Sequence, residues 1–213
     1  MGRARTVRII AAIAALAGWA GLLLQLWLLT RNMGPANGVW RFLGFFTILT
    51  NIGAASVASA LMAGRSEGLG GPRARLMAAT SILLVGLVYS VALRSLWNPT
   101  GLQKVADVAL HDAAPLLWLA LWLLAPHVRL HWREVGWALV PPLLYIVYAI
   151  ARGSVEGWYA YWFLNPAAQS TAEFAVSICV LFCAFGLTAA ALVAADRLLG
   201  RNRPPQSDIY AGV

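Results

Sequence analysis

The sequence predicts an all-α, polytopic membrane protein: a single domain of six transmembrane helices, residues 1–213, with both termini cytoplasmic. Three observations predict it. The 213 residues are 61% hydrophobic and 11% charged, with a mean hydropathy of +0.71, far from the balance of soluble domains. Six apolar windows, near 7–29, 42–63, 76–96, 106–125, 134–152 and 171–199, each reach the ~20 residues that cross a hydrocarbon core of about 30 Å. The basic residues also alternate between connections. Arg3, Arg5, Arg8, Arg65, Arg73, Arg75, Arg129, Arg133, Arg197, Arg201 and Arg203 fall on one side, and Arg31, Arg41, Arg94, Lys104 and Arg152 on the other. The richer side is cytoplasmic by the positive-inside rule, and six spans return both termini to it. Topology thereby accounts for the net charge of +8, and nucleic acid is not an expected partner. Arginine is almost the only basic residue and alanine is abundant, which points to a GC-rich bacterial genome and hence to the bacterial plasma membrane.

Each element has its own signals. The first window is too long for a cleaved signal peptide and has no small-residue cleavage site, so it is expected to stay as a helix. Its "AAIAALAGWAG" supplies small residues for close helix contact in lipid. "MGPANG" turns the chain toward the second helix, and "GRSEGLGGPRAR" is a flexible basic connector. The third helix stops at "LRSLWNPTG", where Asn-Pro and Gly end it. The fourth begins near Asp107, and the fifth contains Pro141-Pro142, which removes backbone donors and predicts a bend. "GSVEGWYAYWFLNPAAQ" is too short and interrupted to span; its aromatic rings suit an interfacial lid or an ordinary aromatic belt. Cys179 and Cys183, one turn apart in the sixth window, have poor disulfide geometry and are expected to be small core residues.

Polar residues inside spans are costly, so their placement is informative. In "FFTILTN", Thr47, Thr50 and Asn51 stand at i, i+3 and i+4 and share one helix face. With helix starts at Arg41 and Ala106, Thr47 and His111 come out at similar depth, about 9 and about 7.5 Å from the rim. Arg94, Asp112, Tyr145 and Glu173, with Gln25, Ser90, Tyr148 and Arg152, fall in the same half of the bundle. Asp107, at i−4, shares the face of His111 and can hold its tautomer, while Asp112 points about 100° away. A hydroxyl, an imidazole and an orienting acid are the parts of an acyl-transfer site. Asn51 or a tyrosine hydroxyl can supply an oxyanion donor. His127 and His131 have metal-clamp spacing before Glu134, but Arg129 and Arg133 oppose a cation there, and three histidines are too few for two bis-His haems. No metal and no cofactor are expected.

The blocks "GFFTILTN", "LHDAAPLLWLALWLL", "PPLLYIVYAIARG" and "WYAYWFLNP" resemble, in order and spacing, those of the androgen-induced protein family, especially its bacterial six-helix members. The resemblance covers roughly residues 40–166. Vertebrate members are integral-membrane threonine hydrolases of fatty-acid esters of hydroxy fatty acids, so the resemblance implies a Thr nucleophile on an early helix and a His on a later one. Carried over, the histidine falls on His111. The threonine falls on Thr47 when the aromatic-Thr step is matched, whereas matching "WRFL" puts Gly44 at that position; His111 to Pro115 is also one residue shorter than in the vertebrate proteins. The expected function is hydrolysis of a lipid ester drawn from the membrane by Thr47 and His111, with Thr50 the other candidate hydroxyl. The competing expectation is a lipid-binding or transport protein in which His111, Asp112 and Glu173 exchange protons.

Overall fold

A chain surrounded by hydrocarbon must satisfy its own backbone, which favours helices throughout. The computed structural model describes residues 2–201 and is all-helical, with no strand among the described residues; Met1 and 202–213, which include Arg203, lie outside them. Five helices are long and apolar enough to cross a membrane, or six if one bent pair forms a single span.

Helix α1, Arg3–Met33, buries Val7, Ala11, Ala14, Ala15, Gly18, Gly21 and Leu22, a stripe at three- and four-residue spacing. The stripe lets α1 approach its neighbour closely, and a Cβ on Gly18 would lie 3.1 Å from that of Ala55. Its opposite face exposes Ile13, Leu16 and Leu23, apolar side chains suited to lipid. Gly34, at φ 80°, reverses the chain into α2, Pro35–Phe42, with a proline in its first turn.

The 42–63 window is where the structure departs most from the sequence reading. Helix α3 covers only Phe46–Met62 and lies at 79° to α2 across a break at 43–45. Seventeen residues rise about 25 Å, short of a ~30 Å core. Arg41 therefore does not stand above Thr47 on one straight helix, and Thr47 sits in the first turn of α3. The break is held from outside: Tyr145 Oη donates to the Gly44 carbonyl at 3.0 Å and Tyr148 Oη to the Leu43 carbonyl at 3.2 Å. Glycine at 44 leaves room for two neighbours: a Cβ there would come within 2.8 Å of the Trp158 ring and 2.9 Å of the Arg152 guanidinium, so one of them would have to shift.

Helix α4, Pro72–Leu96, runs through the middle of the bundle against α3 and the three later helices. Helix α5, Gly101–Leu124, starts earlier than the sequence suggests. Each contains one π turn, Tyr89–Leu93 in α4 and Ala109–Ala113 in α5. Pro115 lies just beyond the second and lacks the N–H that a regular ladder would use. Gly86 gives α4 room beside it: a Cβ there would lie 2.8 Å from the Pro115 ring and 3.2 Å from the His111 carbonyl.

Helix α6, Glu134–Glu156, is interrupted at Leu139, just before the two prolines. Helix α7 covers Thr171–Leu199 and opens with a capping box, Ser170 with Glu173. This corrects the placement of Glu173, which is exposed and occupied with the backbone of its own cap. Cys179 and Cys183 are likewise exposed on α7 rather than packed in the core.

The far end of the bundle closes around Asp196, which is 2% exposed. It accepts from His127 Nδ1 at 3.0 Å and from the backbone of Leu130 at 2.7 Å, while Glu134 pairs with Arg73 at 2.7 Å. His127 and Glu134 are thus committed to different partners, and no group of three metal-ligating side chains occurs among the described residues.

The rigid Pro115 ring cannot yield to a new methyl group, so Gly86→Ala is expected to lower stability by about 1–3 kcal/mol. Gly53→Ala, where a Cβ meets nothing within 4 Å, is expected to be neutral or stabilising. Thermal unfolding of both variants in detergent checks this; equal midpoints would contradict the close α4–α5 packing.

Candidate functional site

The first turn of α3 delivers Thr47, and the π turn of α5 delivers His111. Thr47 Oγ1 lies 3.3 Å from His111 Nε2. On the other side of the imidazole, Nδ1 is 3.1 Å from both the Asp107 carboxylate and the Asp107 backbone carbonyl. Both are acceptors, so Nδ1 carries the proton and Nε2 presents a lone pair to the Thr47 hydroxyl. Asp107 is 3% exposed and also accepts from Tyr89 Oη at 2.7 Å. The Tyr89 ring stacks on His111 with centroids 3.9 Å apart. The imidazole is fixed by a bond at one edge and by an aromatic face.

Tyr161, from the aromatic segment before α7, completes the cluster. Its hydroxyl is 3.3 Å from Thr47 Oγ1 and accepts from the Thr47 N–H at 3.3 Å. Phe46 and Thr47 occupy the first two positions of α3, where amide N–H groups have no partner in their own helix. The Thr47 amide is one of these donors, and it is already taken by the Tyr161 hydroxyl, which thereby sits at the helix terminus beside Thr47 Oγ1.

Thr47 and His111 line a cavity of about 320 Å³, together with Gln25, Tyr89, Gln103 and Tyr161. Thr47, Tyr89 and Tyr161 also border a smaller apolar cavity of about 50 Å³ reaching toward Ile146 and Phe185. Ala160 and Tyr161 lie on the wall of the larger cavity, so the segment suited by sequence to a lid does enter the site.

The remaining candidates separate. Thr50 is buried, but it lines a different groove between α3, α4 and α6, and its hydroxyl has no partner. Asn51 is 1% exposed; its amide donates to the Thr47 carbonyl at 2.8 Å and weakly to the Leu110 carbonyl at 3.4 Å. That use ties α3 to the π turn and leaves the Asn51 amide turned away from Thr47 Oγ1's other neighbours, His111 and Tyr161. Asp112 and Arg94 pair with each other, and neither is on the wall of the larger cavity. Tyr145 borders the smaller cavity while holding the Gly44 carbonyl.

Sequence reasoning missed Tyr89 and Tyr161 as individuals. Tyr89 stands 18 residues from Asp107, in a mostly apolar helix where a lone tyrosine is unremarkable. Tyr161 is one of five aromatic residues within 158–163, with no periodicity to single it out. No family model, curated protein or solved structure matches the chain, so the family resemblance stands on the quoted sequence blocks alone.

Tyr89→Phe keeps the stacked ring but removes a donor from a buried carboxylate. A loss of about 1–3 kcal/mol in unfolding free energy is expected. Chemical denaturation in detergent micelles measures it, and an unchanged midpoint would show that the carboxylate does not depend on Tyr89.

Proposed function

We propose that this protein is an integral-membrane hydrolase of lipid esters in which Thr47 is the nucleophile and His111 the general base. The observation that carries the proposal is the Oγ1–Nε2 approach of 3.3 Å, with Nδ1 held by Asp107. A secondary hydroxyl is a weak nucleophile until a base stands within hydrogen-bond reach. The reading places six spans in a bacterial plasma membrane, with α2 and α3 forming one broken span and both termini cytoplasmic. The distribution of arginines and the number of apolar helices support that topology.

The chemistry follows from the atoms present. Thr47 Oγ1 bonds to the ester carbonyl carbon as its proton passes to His111 Nε2. The carbonyl oxygen becomes negative beside the Tyr161 hydroxyl, which can donate to it, at the start of α3. The C–O bond to the alcohol then breaks, and His111 returns the proton to the departing oxygen. Water repeats the sequence on the Thr47 ester, giving up a proton through His111, and releases a carboxylic acid and free Thr47. Asp107 stabilises the imidazolium that forms in each half. No metal and no cofactor take part in this scheme. Membrane lipids or lipid-like esters are the proposed partners, and the exposed apolar faces of the helices suit delivery from the bilayer.

Covalent labelling by a fluorophosphonate is the direct test. Wild-type protein is expected to label, Thr47→Ala to lose labelling, and His111→Ala to lose at least about a hundredfold in rate, the usual scale of a positioned base. Thr50→Ala should label like wild type. Thermal unfolding of each variant separates lost chemistry from lost fold, and labelling of folded Thr47→Ala at the wild-type rate would remove Thr47 from the mechanism.

A further inference from the structure

Tyr161 stands at Thr47 with little backbone to keep it there. Among the described residues, none of the four amides of 158–161 donates to another backbone group, so side chains set the place of this stretch. Tyr159 packs back onto α6, where its ring fills the space a Cβ on Gly153 would need, at 2.2 Å. Trp158 reaches across to other elements. The Arg41 guanidinium on α2 lies over its ring at 3.8 Å and the Arg152 guanidinium on α6 at 5.7 Å. Phe45, the residue that caps α3, meets it edge-to-face with ring centroids 5.5 Å apart.

Resting on the hydrolase reading above, we propose that Trp158 is a positioning residue that governs reaction at Thr47. Seated on Arg41, Arg152 and Phe45, it latches the aromatic segment so that the Tyr161 hydroxyl stays beside Thr47 Oγ1.

The seat is built from groups suited to hold a ring. Arg152 is itself fixed, bound to Glu156 and Tyr148 and lying over the Trp40 ring at 4.2 Å. Arg41 pairs with no carboxylate among the described residues, so its guanidinium is committed to the indole face. The segment and the start of α3 are thereby pinned twice, Trp158 on Phe45 and Tyr161 on Thr47. Without the first pin, Tyr161 meets Thr47 through two contacts of 3.3 Å, long for hydrogen bonds and weak anchors for a stretch without backbone bonds. Neither Trp158 nor Arg41 lies on the wall of the two cavities that meet at Thr47. Their effect on a bound ester passes through Tyr161.

The experiment measures saturation kinetics of fluorophosphonate labelling for the purified full chain in uncharged detergent micelles. Hydrogen exchange at the Thr47 amide, whose acceptor is Tyr161 Oη, supplies a readout that needs no reaction. Tyr161→Phe is expected to lower the limiting rate about a hundredfold or more, the usual cost of an oxyanion donor. Trp158→Ala and Arg41→Gln are each expected to lower it about tenfold or more, with the half-saturating concentration moved less than about twofold and faster exchange at Thr47. Trp158→Phe keeps an aromatic face and is expected to restore most of both. Adding Trp158→Ala to Tyr161→Phe is expected to cost nothing further, because the group it positions is already gone. Three results would each overturn the proposal and leave the hydrolase reading in place: wild-type kinetics and exchange in both Trp158→Ala and Arg41→Gln, a change confined to the half-saturating concentration, or a Trp158→Ala loss that multiplies with that of Tyr161→Phe. Wild-type protein that unfolds cooperatively yet shows no Thr47-dependent labelling would overturn the hydrolase reading and the proposal with it.

Discussion

A peptide carbonyl without a partner inside an apolar bundle costs several kcal/mol, and the break between α2 and α3 creates two of them. Tyr145 and Tyr148 of α6 answer both, at Gly44 and Leu43. Arg152 extends the support, donating to the Tyr148 hydroxyl at 2.9 Å while bound to Glu156 at 2.7 Å. This clamp makes a sharp bend affordable where the chain would otherwise continue as a helix. Its consequence is local and chemical. Once the helix restarts at Phe46, the next residue is Thr47, whose amide has no helical partner and donates to Tyr161 Oη, and whose hydroxyl lies between Tyr161 and His111. A straight span would have placed the same threonine against the carbonyls of a preceding turn, where hydroxyls in apolar helices commonly bond. Thr30, Ser59 and Thr188 show that alternative, each donating to the carbonyl four residues earlier.

The partner helix solves a different problem. His111 must present Nε2 toward α3 and Nδ1 toward Asp107 on its own helix, and it must do so beside Tyr89. The π turn 109–113 shifts the register of α5 at this point, and α4 has its own π turn beginning at Tyr89. Such single turns recur at functional positions because they re-aim side chains without ending the helix. Gly86 and Pro115 make the arrangement compact, one by lacking a side chain and the other by lacking an N–H. The site is thus assembled from a helix start, two helix irregularities and one loop tyrosine, all of which depart from regular helical geometry.

That dependence explains what the sequence could disclose. The presence of several membrane-length apolar segments was legible because hydropathy over about 20 residues is a bulk property; α7 coincides with its window, the 42–63 window breaks between α2 and α3, and the others differ mainly at their ends. The pairing of Thr47 with His111 and the i−4 role of Asp107 were also legible, since the i−4 spacing survives the bulge. The depth of Thr47 counted from Arg41 holds only for a straight helix, which the 79° break between α2 and α3 rules out. Glu173 was misassigned for a related reason: at the start of a helix an acidic residue has a capping role that depth counting ignores. Thr50 shares a helix face with Thr47 by spacing but faces another groove, since one face of α3 meets both α4 and α6. Tyr89 and Tyr161 were beyond reach because their roles depend on contacts between distant segments.

The two ends of the bundle put their polar groups to different uses. At the far end, Asp196, His127, Arg75 and the backbone of 126–130 bond to one another around a buried carboxylate, and the spaces left there are small, about 10 Å³. Nothing in that cluster is arranged around a cavity of ligand size. At the Thr47 end the polar groups surround open volume, with Gln25 and Gln103 retaining bonding capacity. A solute carried across the membrane needs a route through both ends, and such a route would have to undo the Asp196 cluster, leaving a carboxylate without donors in the interior. A molecule that already dissolves in the bilayer has no such requirement. Under the proposed hydrolase reading it reaches Thr47 from one leaflet and leaves the same way, and the closed Asp196 cluster at the far end agrees with that reading better than with passage through the bundle.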